Sequence, residues 1–99
     1  MTTSERAAAA EVLKAIAHPV RLGVIEILAQ GERTVTALYE ELKCSQSMMS
    51  HQLKTLSQQK LVTIRKEGTQ KYCSLANTEF IKVFSCMQNH LRNFLNFKE

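Results

Sequence analysis

The sequence contains no aspartate, so all nine of its acidic residues are glutamates. It also has only three glycines and one proline, and it has neither a glycine-rich phosphate loop nor paired acids in an apolar setting. These absences exclude a collagen-like or linker-rich chain and remove the common motifs of hydrolases and nucleotide-dependent enzymes. We therefore expect that the protein is not an enzyme; whether it binds a cofactor stays unknown from the sequence.

Cysteine and long apolar runs are also scarce. The three cysteines are an odd number without a CxxC spacing, which is not a disulfide framework. No segment approaches the roughly 20 apolar residues that span a bilayer, and residues 1–10 lack the charged start and apolar core of a signal peptide. We expect a cytoplasmic protein that has no membrane partner.

The positive charge is concentrated in one third of the chain. The length of 99 residues suits a single small domain over residues 1–99, and the chain carries a formal net charge of +4. Residues 43–71 contain six bases and one acid, a net of +5, so the remainder sums to −1. A clustered basic field favours a polyanionic partner, most often nucleic acid, although a solvated basic surface would show the same charge.

Helical spacing and capping residues predict four helices in the first 59 residues. The first runs over 4–17 from Ser4 and ends before Pro19, which starts the second. A short third helix follows Thr34 or Thr36. After a tight turn, Ser45 caps a fourth over 46–59, whose apolar stripe is Met49, Leu53 and Leu56.

The alternation then changes to a period of two, which predicts a β-hairpin over 62–75 with Gly68 in its turn. Val62 and Ile64 are expected to point inward on one strand, and Cys73 and Leu75 on the other. Basic residues lie near the tip of the hairpin. We call this hairpin the wing.

A last amphipathic helix is predicted from Asn77 to about Phe97, with apolar residues at a heptad-like spacing. It carries more apolar surface than so small a domain can cover, which favours dimerisation through this helix; alternatively, it folds back on its own core. The seam residues are Phe80, Phe84, Met87, Leu91 and Phe94.

The predicted fold class is mainly α with a β-hairpin wing: a winged helix-turn-helix in the order α-α-α-α-β-β-α, dimeric through the terminal helices. In such folds the second helix of the helix-turn-helix motif, here the fourth helix of the chain, presents polar groups from its first turns to base edges in the major groove. Cations hold the phosphates. The reading face of the fourth helix is Gln46, Ser47, Ser50, His51 and Lys54, and Arg65, Lys66 and Lys71 of the wing would join it on DNA.

The chain resembles the ArsR/SmtB repressors over nearly its whole length. The similarity is carried by Ala17-His18-Pro19 with Arg21-Leu22, by the SQSMMSHQLK stretch over 45–54, by Leu61-Val62, and by RKEG over 65–68. The resemblance implies a dimeric repressor that releases double-stranded operator DNA when an inducer binds. It also implies that Gln46, Ser47, Ser50 and His51 contact bases and backbone.

The sequence departs from the family at its metal-sensing sites. Where some members have a Cys-x-Cys pair, this chain has Val35 and Ala37. The other family site, on the last helix, corresponds here to Asn77 and Glu79, then His90 and Asn93. Only Glu79 and His90 are potential ligands, and a closed zinc site needs four, so tight zinc regulation is not expected.

Three candidate sensing residues remain, and their alternatives stay open. Cys86 and His90 lie four residues apart, a spacing that suits a soft metal, although Cys86 would equally serve as a small packing residue beside the seam. The N-terminus of the fourth helix and Lys43 would favour a reactive thiolate at Cys44, or Cys44 simply fills the turn. The inducer is thus a metal, a thiol-reactive species or another small molecule, or there is none.

Two functions from different classes follow from these observations. The first is a dimeric transcriptional repressor that binds operator DNA and is released by an inducer or by thiol modification. The second is a winged-helix module whose basic face meets protein or RNA without a specific operator. Salt-dependent binding to specific and random duplexes distinguishes them.

Overall fold

The computed structural model describes residues 1–97, so Lys98 and Glu99 of the predicted domain lie outside the described residues. Its elements are, in chain order, α1 (Thr3–Ile16), α2 (Pro19–Leu28), β1 (Arg33–Thr34), α3 (Val35–Glu41), α4 (Gln46–Gln58), β2 (Val62–Glu67), β3 (Gln70–Leu75) and α5 (Phe80–Asn93). The predicted order is confirmed, with one short strand added. Within residues 1–97 no helix is long and apolar enough to cross a membrane.

The start of α1 differs from the sequence prediction. Thr2, not Ser4, is the N-cap: its Oγ1 accepts a hydrogen bond from the Glu5 amide at 3.1 Å, and Glu5 Oε1 accepts one from the Thr2 amide at 2.8 Å. This reciprocal capping box needs a glutamate three residues after the cap. Ala7 stands three residues after Ser4, so a cap at Ser4 would lack that partner.

The break between α1 and α2 is built as predicted. His18 has the extended backbone that a following proline favours, with φ −157° and ψ 133°. Its Nδ1 accepts a hydrogen bond from the Val20 amide at 3.1 Å, so His18 caps α2 and Pro19 occupies the first helical position.

The core lies where α2, α3 and α4 pack against the sheet. The apolar stripe of α4 faces it, since Met49, Leu53 and Leu56 are all buried. Their side chains interleave with those of the other elements in one cluster. The largest fully buried side chains are Val24, Ile25, Leu38, Met49, Leu53, Leu56, Val62 and Cys73.

The sheet has three antiparallel strands in the order β1-β3-β2. The wing has Glu67 opposite Gln70 at its tip, and Gly68 there has a φ of 61°, which glycine adopts without strain. The predicted alternation is kept, since Ile64 shares the sheet face of the buried Val62 and lies opposite the buried Cys73, but the Ile64 side chain is 40% exposed and so is not part of the core. Ile64 lies on the edge strand, where it is covered less than Cys73 on the central strand.

The last helix is shorter than predicted. Asn77 Oδ1 accepts a hydrogen bond from the Glu79 amide at 2.8 Å, which shapes a turn ahead of α5, and the helix itself begins at Phe80. It ends at Asn93 because Asn96 has a left-handed φ of 53° and the Phe97 amide returns to the Leu91 carbonyl at 3.0 Å.

Candidate nucleic-acid interface

The sequence after α3 positions α4 through a tight turn and a cap. Lys43 has a left-handed φ of 54°, uncommon for a residue with a side chain, and the Cys44 amide donates to the Tyr39 carbonyl at 3.1 Å. Ser45 then takes an extended conformation, and its Oγ accepts a hydrogen bond from the Met48 amide at 3.0 Å. The turn and the cap together fix where α4 begins.

All five residues of the reading face are exposed. The buried stripe of α4 faces the core, and an α-helix turns about 100° per residue, so the side chains of Ser47, Ser50, His51 and Lys54 are turned away from it. Gln46 is exposed as the first residue of the helix. The structure therefore brings together Gln46, Ser47, Ser50, His51 and Lys54 on one accessible surface. Amide, hydroxyl and imidazole groups there are free to donate to and accept from the edges of base pairs.

One polar residue of α4 is not part of that surface. Gln52 is 5% exposed, and its Oε1 accepts a hydrogen bond from Nη1 of Arg21 at 2.6 Å. Sequence reasoning missed this contact. Gln52 follows Met49 by three residues and precedes Leu53 by one, so helical spacing places it beside the apolar stripe. That position could have indicated a buried glutamine that needs a hydrogen-bond partner.

The lysines of the wing extend the basic surface. Lys66 and Lys71 are opposite each other in the β2–β3 ladder, and both are exposed. Neither forms an ion pair with any of the residues 1–97. Their charges are therefore available to phosphates.

Arg65 has a different environment from these lysines. Its guanidinium pairs with Glu32 at 2.7 Å and with Glu67, and it lies 4.6 Å from the centre of the Tyr72 ring. The hydrogen bond to Glu32 is the main cause that raises the pKa of Arg65 above its ordinary value. The sequence predicts that Arg65 contacts a DNA phosphate. In this arrangement its guanidinium would have to break its ion pairs with Glu32 and Glu67 before it could do so.

The seam residues of α5 divide into two groups. Phe80 and Phe84 are partly buried against the protomer's own core. These two contacts agree with the alternative prediction that the last helix folds back on its own core. Met87 and Leu91 are 39% and 37% exposed, and Phe94, just after the helix, is 78% exposed. The apolar face is thus continuous but only its first half is covered within one chain.

A groove of about 570 Å³ runs between α2 and α5. Phe84, Met87 and Leu91 line its α5 side, and Pro19 and Leu22 line its α2 side. Three seam residues therefore share one concave apolar surface.

The candidate sensing residues are not gathered into one site. Cys44 is half-buried at the turn before α4, whereas Cys86 and His90 are exposed on α5, where the His90 ring stacks on Phe94 with centroids 5.4 Å apart. Among residues 1–97 no three histidine, cysteine or acidic side chains come close enough together to hold a metal ion. Cys73 is in the core as predicted, and burial raises the pKa of its thiol to about 11.

Comparison with known proteins identifies the family. The family model described as a helix-turn-helix domain matches residues 16–65, from the end of α1 into β2. The structure of a homodimeric winged helix-turn-helix DNA-binding domain from Mycobacterium bovis, described as a possible ArsR-family transcriptional regulator, is similar to this chain. The two are 30% identical with a TM-score of 0.80, over 99% of this chain and 97% of that one. The chain belongs to the ArsR/SmtB family.

Curated relatives agree with this ArsR/SmtB assignment. A transcriptional repressor SmtB homolog from Synechocystis sp. is 37% identical over 83 residues, which are 84% of this chain and 63% of that relative. The transcriptional repressor SdpR of Bacillus subtilis is 31% identical over 85 residues, covering 86% of this chain and 90% of SdpR. The chain thus spans less than two thirds of the Synechocystis relative. The predicted family and winged helix-turn-helix fold class are both confirmed.

Proposed function

We propose that the chain is a homodimeric transcriptional repressor that binds operator DNA through α4 and the wing. The observation that carries this proposal is the exposed reading face of α4 beside a wing whose lysines are free of acidic partners among residues 1–97. The relatives named above are repressors and regulators rather than enzymes, which supports it. Binding to its operator would take place in the cytoplasm.

In the proposed complex, the N-terminal half of α4 enters the major groove. Gln46 pairs with an adenine, and His51 donates to a guanine or a phosphate. Ser47 and Ser50 bond bases or backbone. These side chains lie within the first two turns of α4, which is the part of a recognition helix that reaches base edges.

Cations of the reading face and of the wing would hold the DNA backbone. Lys54 continues the face along α4, and Lys66 and Lys71 carry the contact to the wing. Arg65 contributes a phosphate contact only by exchanging Glu32 and Glu67 for phosphate oxygens. Until then it stiffens the wing against the loop that precedes β1.

Dimerisation would cover the exposed half of the α5 seam. Met87, Leu91 and Phe94 present apolar surface that one chain leaves in water. A homodimer removes that surface from water and places two reading faces on one side of the DNA, about 34 Å apart, for successive major grooves.

An inducer, or modification of Cys44 or Cys86, would then release the operator. Cys44 is one residue from the cap of α4, and Cys86 is on the dimerisation helix.

The test is a salt-dependent titration of the wild-type protein. A duplex from its own promoter region is compared with random duplex and with single-stranded RNA by fluorescence anisotropy. Operator binding should exceed random-duplex binding by about 10³-fold or more and should weaken steeply with salt. Equal affinity for all duplexes, or a preference for RNA, would contradict the proposal and favour an interaction module.

A further inference from the structure

The guanidinium of Arg21, on α2, joins three helices. Its Nε donates to the carbonyl of Ala15, and its Nη2 lies 3.4 Å from the carbonyl of Lys14, both at the end of α1. Its Nη1 donates to Gln52 Oε1 of α4 at 2.6 Å. Carbonyls of a last helical turn have no partner within the helix and attract cations, so Arg21 caps α1 while it holds α4.

Gln52 is buried at the centre of α4, on the side away from the reading face. It is the one buried polar side chain in the core of the described residues, 5% exposed, and it immediately follows His51. A buried amide oxygen is costly to leave without a donor. The hydrogen bond from Arg21 therefore adds a directional constraint on the rotation of α4 about its own axis to the packing of its apolar stripe.

We propose that Arg21 and Gln52 are positioning residues for DNA recognition. The pair fixes the rotation of α4 relative to α1 and so sets which atoms of Gln46, Ser50 and His51 meet the base edges. This inference rests on the proposed function. It assigns operator specificity to two residues that do not touch DNA.

The geometry of a helix shows why a small rotation matters. Side-chain ends lie about 5 to 6 Å from a helix axis, so a rotation of about 10° displaces them by about 1 Å. Hydrogen bonds to base edges form over a range of only about 0.5 Å. Loss of the Arg21–Gln52 bond should therefore weaken base contacts more than phosphate contacts, whose partners are long, adaptable lysines.

The test measures the ratio of operator affinity to random-duplex affinity for full-length variants. The duplexes are the promoter-region operator used for the wild type and a scrambled duplex of equal length. Unfolding removes binding to both duplexes by the same factor, so a purely structural role leaves the ratio unchanged. Circular dichroism and light scattering confirm the folded, dimeric state of each variant.

Gln52→Leu should lower the ratio about tenfold, as expected for a weakened base contact. Gln52→Glu keeps an acceptor oxygen for Arg21 and should keep the ratio within about threefold of the wild type. Gln58→Leu is the matched control, because Gln58 is an exposed glutamine on the same helix, and it should not change the ratio.

An unchanged ratio in folded Gln52→Leu would overturn the inference while leaving the proposed function intact. A fall of the same size in Gln58→Leu would overturn it as well. Should Gln52→Leu fail to fold, Arg21→Lys decides: it keeps the charge but loses the fork that reaches α1 and Gln52 together, so its ratio should fall. A wild type that does not discriminate between the duplexes would contradict the proposed function itself.

Discussion

Lys66 on the wing gives the most quantitative prediction for DNA binding. On its reading face and wing each protomer offers three exposed lysines, Lys54, Lys66 and Lys71, that form no ion pair within residues 1–97. A dimer would thus make about six phosphate contacts, each adding about 0.9 to the slope of log affinity against log salt. Raising salt from 50 to 200 mM should then weaken wild-type binding by about 2,000-fold.

Lys66→Gln removes two contacts per dimer, so the same salt change should weaken its binding by only about 150-fold. The assay is fluorescence anisotropy of a labelled operator duplex at four salt concentrations. Lys82→Gln is the control, because it changes the charge equally on α5, where Lys82 pairs with Glu79 at 3.4 Å. Equal slopes for Lys66→Gln and the wild type would refute the assignment of the wing to the phosphates.

Glu32→Gln tests the environment of Arg65 in the same assay. The change removes the carboxylate that holds Arg65 at 2.7 Å and leaves only Glu67 to be exchanged for a phosphate. The salt slope should therefore become steeper by up to about 0.9 per protomer. An unchanged slope would mean that the pairing with Glu32 does not keep Arg65 from the phosphates.

The remaining predictions concern base contact, dimerisation and sensing. Gln46→Ala should weaken operator binding by about 1–3 kcal/mol without changing thermal unfolding, as should His51→Ala; loss of the helical signal would instead make these residues structural. Leu91→Glu should give a monomer by light scattering, because it places a charge in an apolar seam, while Asn89→Glu on the opposite face of α5 should remain a dimer; a dimeric Leu91→Glu would exclude this seam. If thiols sense the inducer, replacement of all three cysteines by serine should preserve operator binding but abolish release by oxidant or persulfide, and a normal response would make the cysteines packing residues.

The order of elements was predictable because its determinants are local. Pro19, Ser45 and Gly68 each impose a backbone conformation on their immediate neighbours, and each stands where the structure needs it. The reading face followed from the 3.6-residue period of α4. Strand β1 was missed because its two residues are too few to show an alternation.

The contacts that sequence could not supply join distant parts of the chain. Arg21 reaches Gln52 across 31 positions, and Arg65 reaches Glu32 across 33. A local pattern shows that each residue is polar or charged but not which partner the fold brings to it. The end of α5 was also not encoded in its apolar period: the sequence predicts a helix to about Phe97, whereas α5 ends at Asn93 and the backbone turns away at Asn96.

The central claim is that two copies of α4 read two half-sites together, and changing the spacing of those half-sites tests it most directly. Affinity of the wild-type protein is measured for the operator and for operators with 5 or 10 base pairs inserted at the centre. Five base pairs turn the second half-site to the opposite side of the duplex. We predict that the 5-base-pair insertion reduces binding to the level of random duplex and that the 10-base-pair insertion weakens it less. Equal affinity for the unmodified and 5-base-pair operators would contradict a dimer that reads both half-sites.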